Sequence, residues 1–249
     1  MKRPAFMIIF MAAAVFFAAE AQAVVEIDAR YWFTNLSSDV KVTESGLPGT
    51  KIDLVDDLGV DDSKGFPEGR VTLGFGDHHI RYSYMPMSWD GDEIVTQSVN
   101  FDGKTYSVGT RVKSNFDIAY HRLGYEYDIV NTLGNKFGVI AEVKYFDIDA
   151  SLKSSVNSES KSLAVPLPAF GVAVQVGLPA FLSVGAEITG ITAGNAGNLV
   201  DAEASLNLTP APLVTISAGY RYLGLHAEQG NDELDFKVSG PFAMVRVGF

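Results

Sequence analysis

Beyond residue 23 the chain alternates apolar and polar positions with a period of two, segment after segment. In the first segment Val25, Ile27, Ala29, Tyr31 and Phe33 share one face. Glu26, Asp28, Arg30 and Thr34 share the other, together with Trp32. A period of two with one charged face predicts a β-strand, because successive side chains of an extended backbone point to opposite sides. The alternation recurs over 71–75, 80–84, 116–120, 137–145, 170–176, 182–188, 200–208, 214–222 and 243–249. The reading is about ten strands, with eight or twelve as alternatives, each near the roughly 9–11 residues that cross a bilayer at a tilt. One segment breaks phase. Phe116, Ile118 and Tyr120 sit on the apolar face, but beyond them the apolar set moves to Leu123, Tyr125 and Tyr127, which calls for a bulge near His121–Arg122.

The connections alternate in length. Short ones fall at 76–78, 131–135, 178–180 and 209–212. Long ones run over 37–67, 90–111, 149–162 and 227–233, with a brief one at 193–198. The first long loop carries Ile52, Leu54, Val55, Leu58 and Val60 inside an acidic frame, and is expected to fold onto the barrel mouth. Residues 95–112 alternate around Asp102-Gly103, a two-residue turn signal, and predict a ribbon projecting beyond two of the strands.

The first 23 residues differ. Lys2 and Arg3 precede an uncharged apolar run from Ala5 to Ala19, followed by Ala21-Gln22-Ala23. This is the three-part pattern of a secretory signal peptide cleaved after Ala23, and the run is shorter than the roughly 20 residues of a spanning helix. The expected organisation is a signal peptide over 1–23 and one domain over 24–249.

Composition narrows the function classes. The chain of 249 residues has a net charge of −11, which argues against a nucleic-acid partner and a polybasic lipid-binding surface. It has no cysteine, which excludes disulfides, thiolate metal sites and cysteine nucleophiles. Tyr and Phe lie near strand ends on the apolar faces, as an interfacial girdle requires. The polar faces mix small residues with both signs of charge, which suits a narrow interior. Strand edges in hydrocarbon would leave backbone groups unpaired, so the sheet must close.

The signal peptide, the alternating strands and the ending Val245-Arg246-Val247-Gly248-Phe249 resemble small bacterial outer-membrane β-barrel proteins of the OmpA/OmpW-like superfamily. The resemblance implies an all-β, antiparallel up-and-down transmembrane barrel in the cell outer membrane, without a periplasmic domain. It implies insertion by the barrel-assembly machinery, with Val245, Val247 and Phe249 as the assembly signal. Outer-membrane lipid and lipopolysaccharide are the implied surroundings.

With the polar faces turned inward, Glu26, Asp28, Glu142, Glu187, Asp201 and Glu203 meet Arg30, Arg70, Arg81, Lys144, Arg221 and Arg246 in the lumen. Buried charge is tolerated where it is paired, so this balanced set predicts a lumen-filling network. The expected role is structural or surface interaction through long acidic loops. The alternatives are a narrow channel or entry pore for a small or hydrophobic solute, and a hydrolase at the rim. No cofactor, metal or catalytic residue is expected. His226 with Glu228, Asp232 and Glu233 is the one cluster placed for rim chemistry. His78 and His79 are expected in a solvated turn, and His121 in the interior. The acids at 39, 44, 53, 56, 57, 61, 62, 90, 92 and 93 match no calcium-loop motif.

Overall fold

The computed structural model describes residues 23–41, 51–101, 104–132, 134–192, 194, 197–229 and 232–249. The export signal expected over 1–23 falls almost wholly outside them. Thirteen strands follow in chain order: β1 (Ala23–Lys41), β2 (Lys51–Asp53), β3 (Ser63–Phe75), β4 (His78–Ile94), β5 (Val99–Phe101), β6 (Lys104–Tyr106), β7 (Arg111–Thr132), β8 (Asn135–Lys153), β9 (Ser158–Leu178), β10 (Leu182–Thr192), β11 (Gly197–Ala211), β12 (Val214–Gln229) and β13 (Asp232–Gly248). Ten of them, all but β2, β5 and β6, pair antiparallel with their chain neighbours, and β13 returns to β1. The result is a closed ten-stranded up-and-down barrel. β2 is an added strand on the loop end of β1, and β5–β6 is a separate ribbon.

Tight turns join the staves at one end. Phe75 pairs with His78 around Gly76 (φ +63°), and Thr132 pairs with Asn135 beside Gly134 (φ +84°). Glycine reaches these left-handed backbone angles without a Cβ penalty. The start of β1 and the end of β13 lie at this same end, where Phe249 N–H donates to Val25 O at 2.8 Å. Small radius also demands close backbone approach. At Gly240 any Cβ would fall 1.8 Å from Phe33 O. There the β1–β13 ladder lapses between Trp32↔Phe242 and Asn35↔Ser239, beside Pro241, which has no N–H to offer. The Trp32 indole N–H donates to the Gly240 carbonyl at 3.0 Å and helps hold the lapse in place.

The outer wall is apolar. Ile27, Phe33, Val71, Tyr82, Val139, Phe170, Val174, Ile188, Leu206 and Tyr220 are all exposed, with Phe170 at 65%. An apolar belt of this extent on a soluble protein would aggregate, so hydrocarbon is the medium that fits it. Among the described residues no helix is long and apolar enough to cross a membrane; the strands make the crossing.

Three expectations need correction. β7 has no bulge at His121–Arg122, since its pairing with β8 runs unbroken from Lys113 to Asp128; the shift falls between Asp128 and Val130. Phe116, Ile118 and Tyr120 therefore point inward. His121 points outward among Tyr82, Tyr84 and Tyr145, with the Tyr82 hydroxyl 2.9 Å from its Nδ1. The hairpin expected around 102–103 is present as β5–β6, with Phe101 paired to Lys104, but it is a separate ribbon folded onto the interior rather than a projecting extension of two barrel strands. Val95, Val99, Phe101 and Tyr106 are buried in the interior apolar cluster, while Asp102 and Gly103 lie outside the described residues. The first loop does fold onto the mouth: Ile52, Leu54, Leu58 and Val60 are buried, and Val60 bridges Gly91 of β4.

Candidate functional site

The lumen has three levels, set by which inward positions carry charge. At mid-height Arg30 of β1, Arg70 of β3, Arg81 of β4, Arg122 of β7, Lys144 of β8 and Arg221 of β12 meet Glu68, Glu126, Glu142, Glu187, Asp201 and Glu203. Arg221 lies 2.7 Å from Glu68 and 2.8 Å from Asp201. Arg30 lies 2.7 Å from Glu203 and 3.2 Å from Glu68. Arg122 reaches Glu142 at 3.1 Å and Glu187 at 2.5 Å. Lys144 lies 2.7 Å from Asp201 and 2.9 Å from Glu142. Arg81 contacts Glu187 at 2.7 Å and Glu126 at 3.0 Å, and Arg70 comes within 3.8 Å of Glu68. Six bases and six acids make a neutral layer in which each base has an acid within reach. That arrangement is what makes buried charge tolerable. β9 contributes no charge at this level, only Ala169, Gly171 and Ala173 on its inward face.

Below the layer, toward the tight turns, lies a polar vestibule of about 300 Å³. Its lining includes Glu26, His79, Lys136, Gln175, Asn207 and Arg246. Arg246 donates to Asp28 at 2.7 Å and lies 3.5 Å from Glu26. His79 and Lys136 both meet Asp128, at 2.9 and 3.0 Å.

Above the layer the lumen is apolar. Trp32, Phe66, Met85, Met87, Trp89, Ile118, Phe146, Leu199, Leu223, Phe236, Val238 and Phe242 are buried there, joined by the loop residues Ile52, Leu54, Leu58 and Val60. Cations face aromatic rings where the two media meet: Arg30 over Phe242 at 4.3 Å and Arg221 over Trp32 at 5.0 Å. The Tyr120 hydroxyl accepts from Lys144 and donates to Asp201, both at 3.0 Å, and the ring stacks on Phe146.

All twelve charges expected in the lumen face it. Nine form the mid-height layer. Glu26, Asp28 and Arg246 stand apart in the vestibule. Glu68, Arg122 and Glu126 complete the layer and were missed, as was Asp128 in the vestibule. The phase of Leu123, Tyr125 and Tyr127, carried back along β7, would have turned Arg122 and Glu126 inward. Val245 and Phe249 of the terminal segment are exposed on the outer wall.

At the rim, His226 lies 3.0 Å from Asp235 and 3.3 Å from Glu228. The hydrogen bond to Asp235 raises the His226 pKa above its ordinary value, and the charges of Asp235 and Glu228 add to the shift. Among the described residues no group of three or more His, Asp or Glu side chains is arranged to hold a metal ion.

An apolar girdle outside and a filled lumen inside define the class: a small transmembrane β-barrel of the outer-membrane type. Among solved structures, the outer membrane protease OmpT from Escherichia coli is similar with a TM-score of 0.60 at 7% identity. The match covers 91% of this chain and 97% of that one. Ail, the attachment invasion locus protein of Yersinia pestis, matches over 92% of this chain and 99% of its own, at 13% identity and a TM-score of 0.42. No family model matches the chain, and no curated protein matches it in sequence. At these identities the likeness is one of fold.

Proposed function

We propose that this chain is an exported outer-membrane protein of a Gram-negative cell, inserted by the barrel-assembly machinery through Val245, Val247 and Phe249. Its lumen does not conduct, and its acidic loop-side crown carries a structural or surface-interaction role. The observation that supports this is the double closure of the lumen, by the ion-pair layer and by the apolar filling above it. A water path would have to break both. The crown presents Asp56, Asp61 and Asp62 on the first loop and Asp90, Asp92 and Glu93 at the loop end of β4. A cationic surface on a partner, or lipopolysaccharide phosphates reached through divalent ions, is the complementary chemistry.

We read the protein as non-enzymatic. OmpT is named a protease, but hydrolysis at the loop end here would need a polar, solvated catalytic set. The loop-end lumen is instead filled by Phe66, Trp89, Phe116 and Phe236. His226 is held at the exposed rim by the carboxylates of Glu228 and Asp235, outside the filled lumen.

The vestibule favours a second reading, a narrow entry route for a small solute that stops at the charge layer. Single-channel recording of the refolded chain in a planar bilayer separates the two. The expected record is silent while heat-modifiable migration shows a folded barrel. Discrete, reproducible conductance steps would replace the sealed lumen with the narrow channel.

A further inference from the structure

Most of the charges that line the vestibule have close partners. Arg81 holds Glu187 at 2.7 Å and Glu126 at 3.0 Å. Arg30, reaching down from the layer, holds Glu203 through two hydrogen bonds of 2.7 and 2.9 Å. Lys136 holds Asp128 at 3.0 Å. One base and one acid remain. The base is Arg70. It is 7% exposed, it lines the vestibule, and its Nη2 has no hydrogen-bond partner among the described residues. The acid within reach is Glu68, 3.8 Å from Nη2, and Glu68 already takes Arg30 and Arg221 on its other oxygen. Opposite Arg70 on β1 stands Asp28, which accepts from Arg246 instead, at 2.7 and 3.0 Å. The acid is Glu26. Its ion pair among the described residues is with Arg246 Nη1 at 3.5 Å, and its side chain is 33% exposed.

Register sets these two groups one step apart. Glu26 pairs with Thr72 of β3, and Arg70 lies two residues toward the loop side of Thr72, on the same inward face. Diagonal neighbours of this kind are about 7–8 Å apart at the backbone. Arg70 is the deeper, at the floor of the vestibule where the charge layer begins. Glu26 stands nearer the tight turns, and Thr72 lies between them on the vestibule wall. The guanidinium reaches toward Glu68 and the carboxylate toward Arg246, so the two do not pair with each other. The facing wall leaves room. β9–β12 turn Ala173, Ser183, Gly185, Ser205 and Ser217 toward the same space, and these small residues keep about 300 Å³ open. That is the low end of the roughly 300–1,000 Å³ of small-molecule sites. Ser217 Oγ is also buried without a hydrogen-bond partner among the described residues.

The pair selects a ligand chemistry. A guanidinium only donates, in a planar fork that matches a carboxylate or a phosphate. A carboxylate only accepts, and an ammonium is its charged complement. A solute with one sign alone meets opposition here. A lone anion on Arg70 would face Glu187 and Glu203, which line the same floor, and a lone cation on Glu26 would face Arg246. A solute that carries both signs answers both groups and leaves the vestibule's charge balance unchanged. Because Arg70 is the deeper, the anionic end leads and the cationic end stays toward the mouth.

We propose that the vestibule binds a small zwitterionic solute of the amino-acid type, with its anionic group on Arg70 and its ammonium on Glu26. This goes beyond the sealed axial path, since the site is reached from the tight-turn end and needs no passage through the ion-pair layer.

The probe is γ-aminobutyrate, whose two charges sit at opposite ends of a short carbon chain. It is titrated into the refolded chain in detergent micelles while NMR follows the Thr72 amide and the Arg70 Nε–H. Butyrate and propylammonium, which each keep one of the two charges, are titrated in the same way. Saturable shifts are expected with γ-aminobutyrate, at an affinity at least about tenfold above either one-charge compound, the loss expected for one missing charge-assisted hydrogen bond. Arg70→Met and Glu26→Gln should each weaken γ-aminobutyrate by a similar factor. Butyrate binding as tightly as γ-aminobutyrate would remove Glu26 from the site and overturn the zwitterion. Absence of a saturable shift with all three compounds would leave both groups to water and overturn the site, as would binding that neither substitution weakens. Heat-modifiable migration checks folding. If Arg70→Met does not fold, Glu26→Gln at the exposed end and the one-charge compounds on the unaltered chain decide the question. The titration reads no current, so its outcome is separate from that of the conductance test.

Discussion

One barrel holds two different interiors. Around mid-height the lumen is a neutral lattice of Arg, Lys, Asp and Glu over a polar vestibule. In the loop-side half it is packed with Trp, Phe, Met and Leu as a soluble protein's core would be. The outer wall changes with height as well: Tyr31, Tyr82 and Val143 face outward around the lattice, whereas Asp117, Asp147 and Asp149 are the outward positions beside Ile118, Phe146 and Ile148. The neighbourhood of each inward position differs too. Inward residues near the tight turns border an open vestibule, and charges there keep some contact with solvent. Inward residues near the loops are capped by Ile52, Leu54, Leu58 and Val60, which exclude water and favour apolar filling.

The sharpest way to break this comparison is to remove one member of the lattice. Arg221 is fully buried and holds both Glu68 and Asp201. Arg221→Met leaves those acids short of a partner in a desolvated layer, and should cost about 3–5 kcal/mol. Urea unfolding in lipid vesicles would read the loss. The matching change in the upper half is Ile118→Val, which deletes one methylene from a close-packed region and should cost about 1 kcal/mol. Equal costs would mean that the charge layer is wetter than its geometry implies.

A third test asks whether the cap belongs to the upper half. Leu54 N–H donates to Ser38 O at 3.0 Å, Gly59 N–H to Val55 O at 3.0 Å, and Val60 N–H to Leu54 O at 3.1 Å. These amides should exchange well below random-coil rates, at least tenfold slower. Coil-like exchange over 52–60 would detach the loop from the core and leave the upper half uncapped.

The same two-media interior explains what could be read from sequence. The outward face was legible because lipid imposes one rule on every stave, apolar at every second residue, and β1, β8, β10 and β12 obey it cleanly. β7 was misread because its upper half is apolar on the inward face, at Phe116, Ile118 and Tyr120, while its lower half is apolar outward, at Leu123, Tyr125 and Tyr127. A single rule of apolar-out forces a bulge at the change of medium, where the structure has none. Arg122 and Glu126 were lost with that phase. Glu68 was missed for another reason: the strand signal before Arg70 is broken by Pro67 and Gly69, so the start of β3 read as loop.

The smallest expected effect lies outside both halves, at the rim, where charge meets water. His226 is held by Asp235 and Glu228, and its pKa is raised from the ordinary value of 6.5, chiefly by the hydrogen bond to Asp235. A raised pKa in the folded state means that folding favours the protonated ring. The stabilisation is therefore fully present below about pH 6.5 and is lost as the pH rises through the raised value. Amides at the β12–β13 tip should exchange faster above that pH, and Asp235→Asn should return most of the His226 titration, followed by NMR, to its ordinary position. Added salt should shrink the effect, because an exposed pair is screened, while the buried lattice around Arg221 should respond little to salt. If His226 titrates at its ordinary value in the intact chain, the β12–β13 tip is not closed by this contact. The boundary between ordered lumen and free loop would then lie lower, at the Leu225–Phe236 pair.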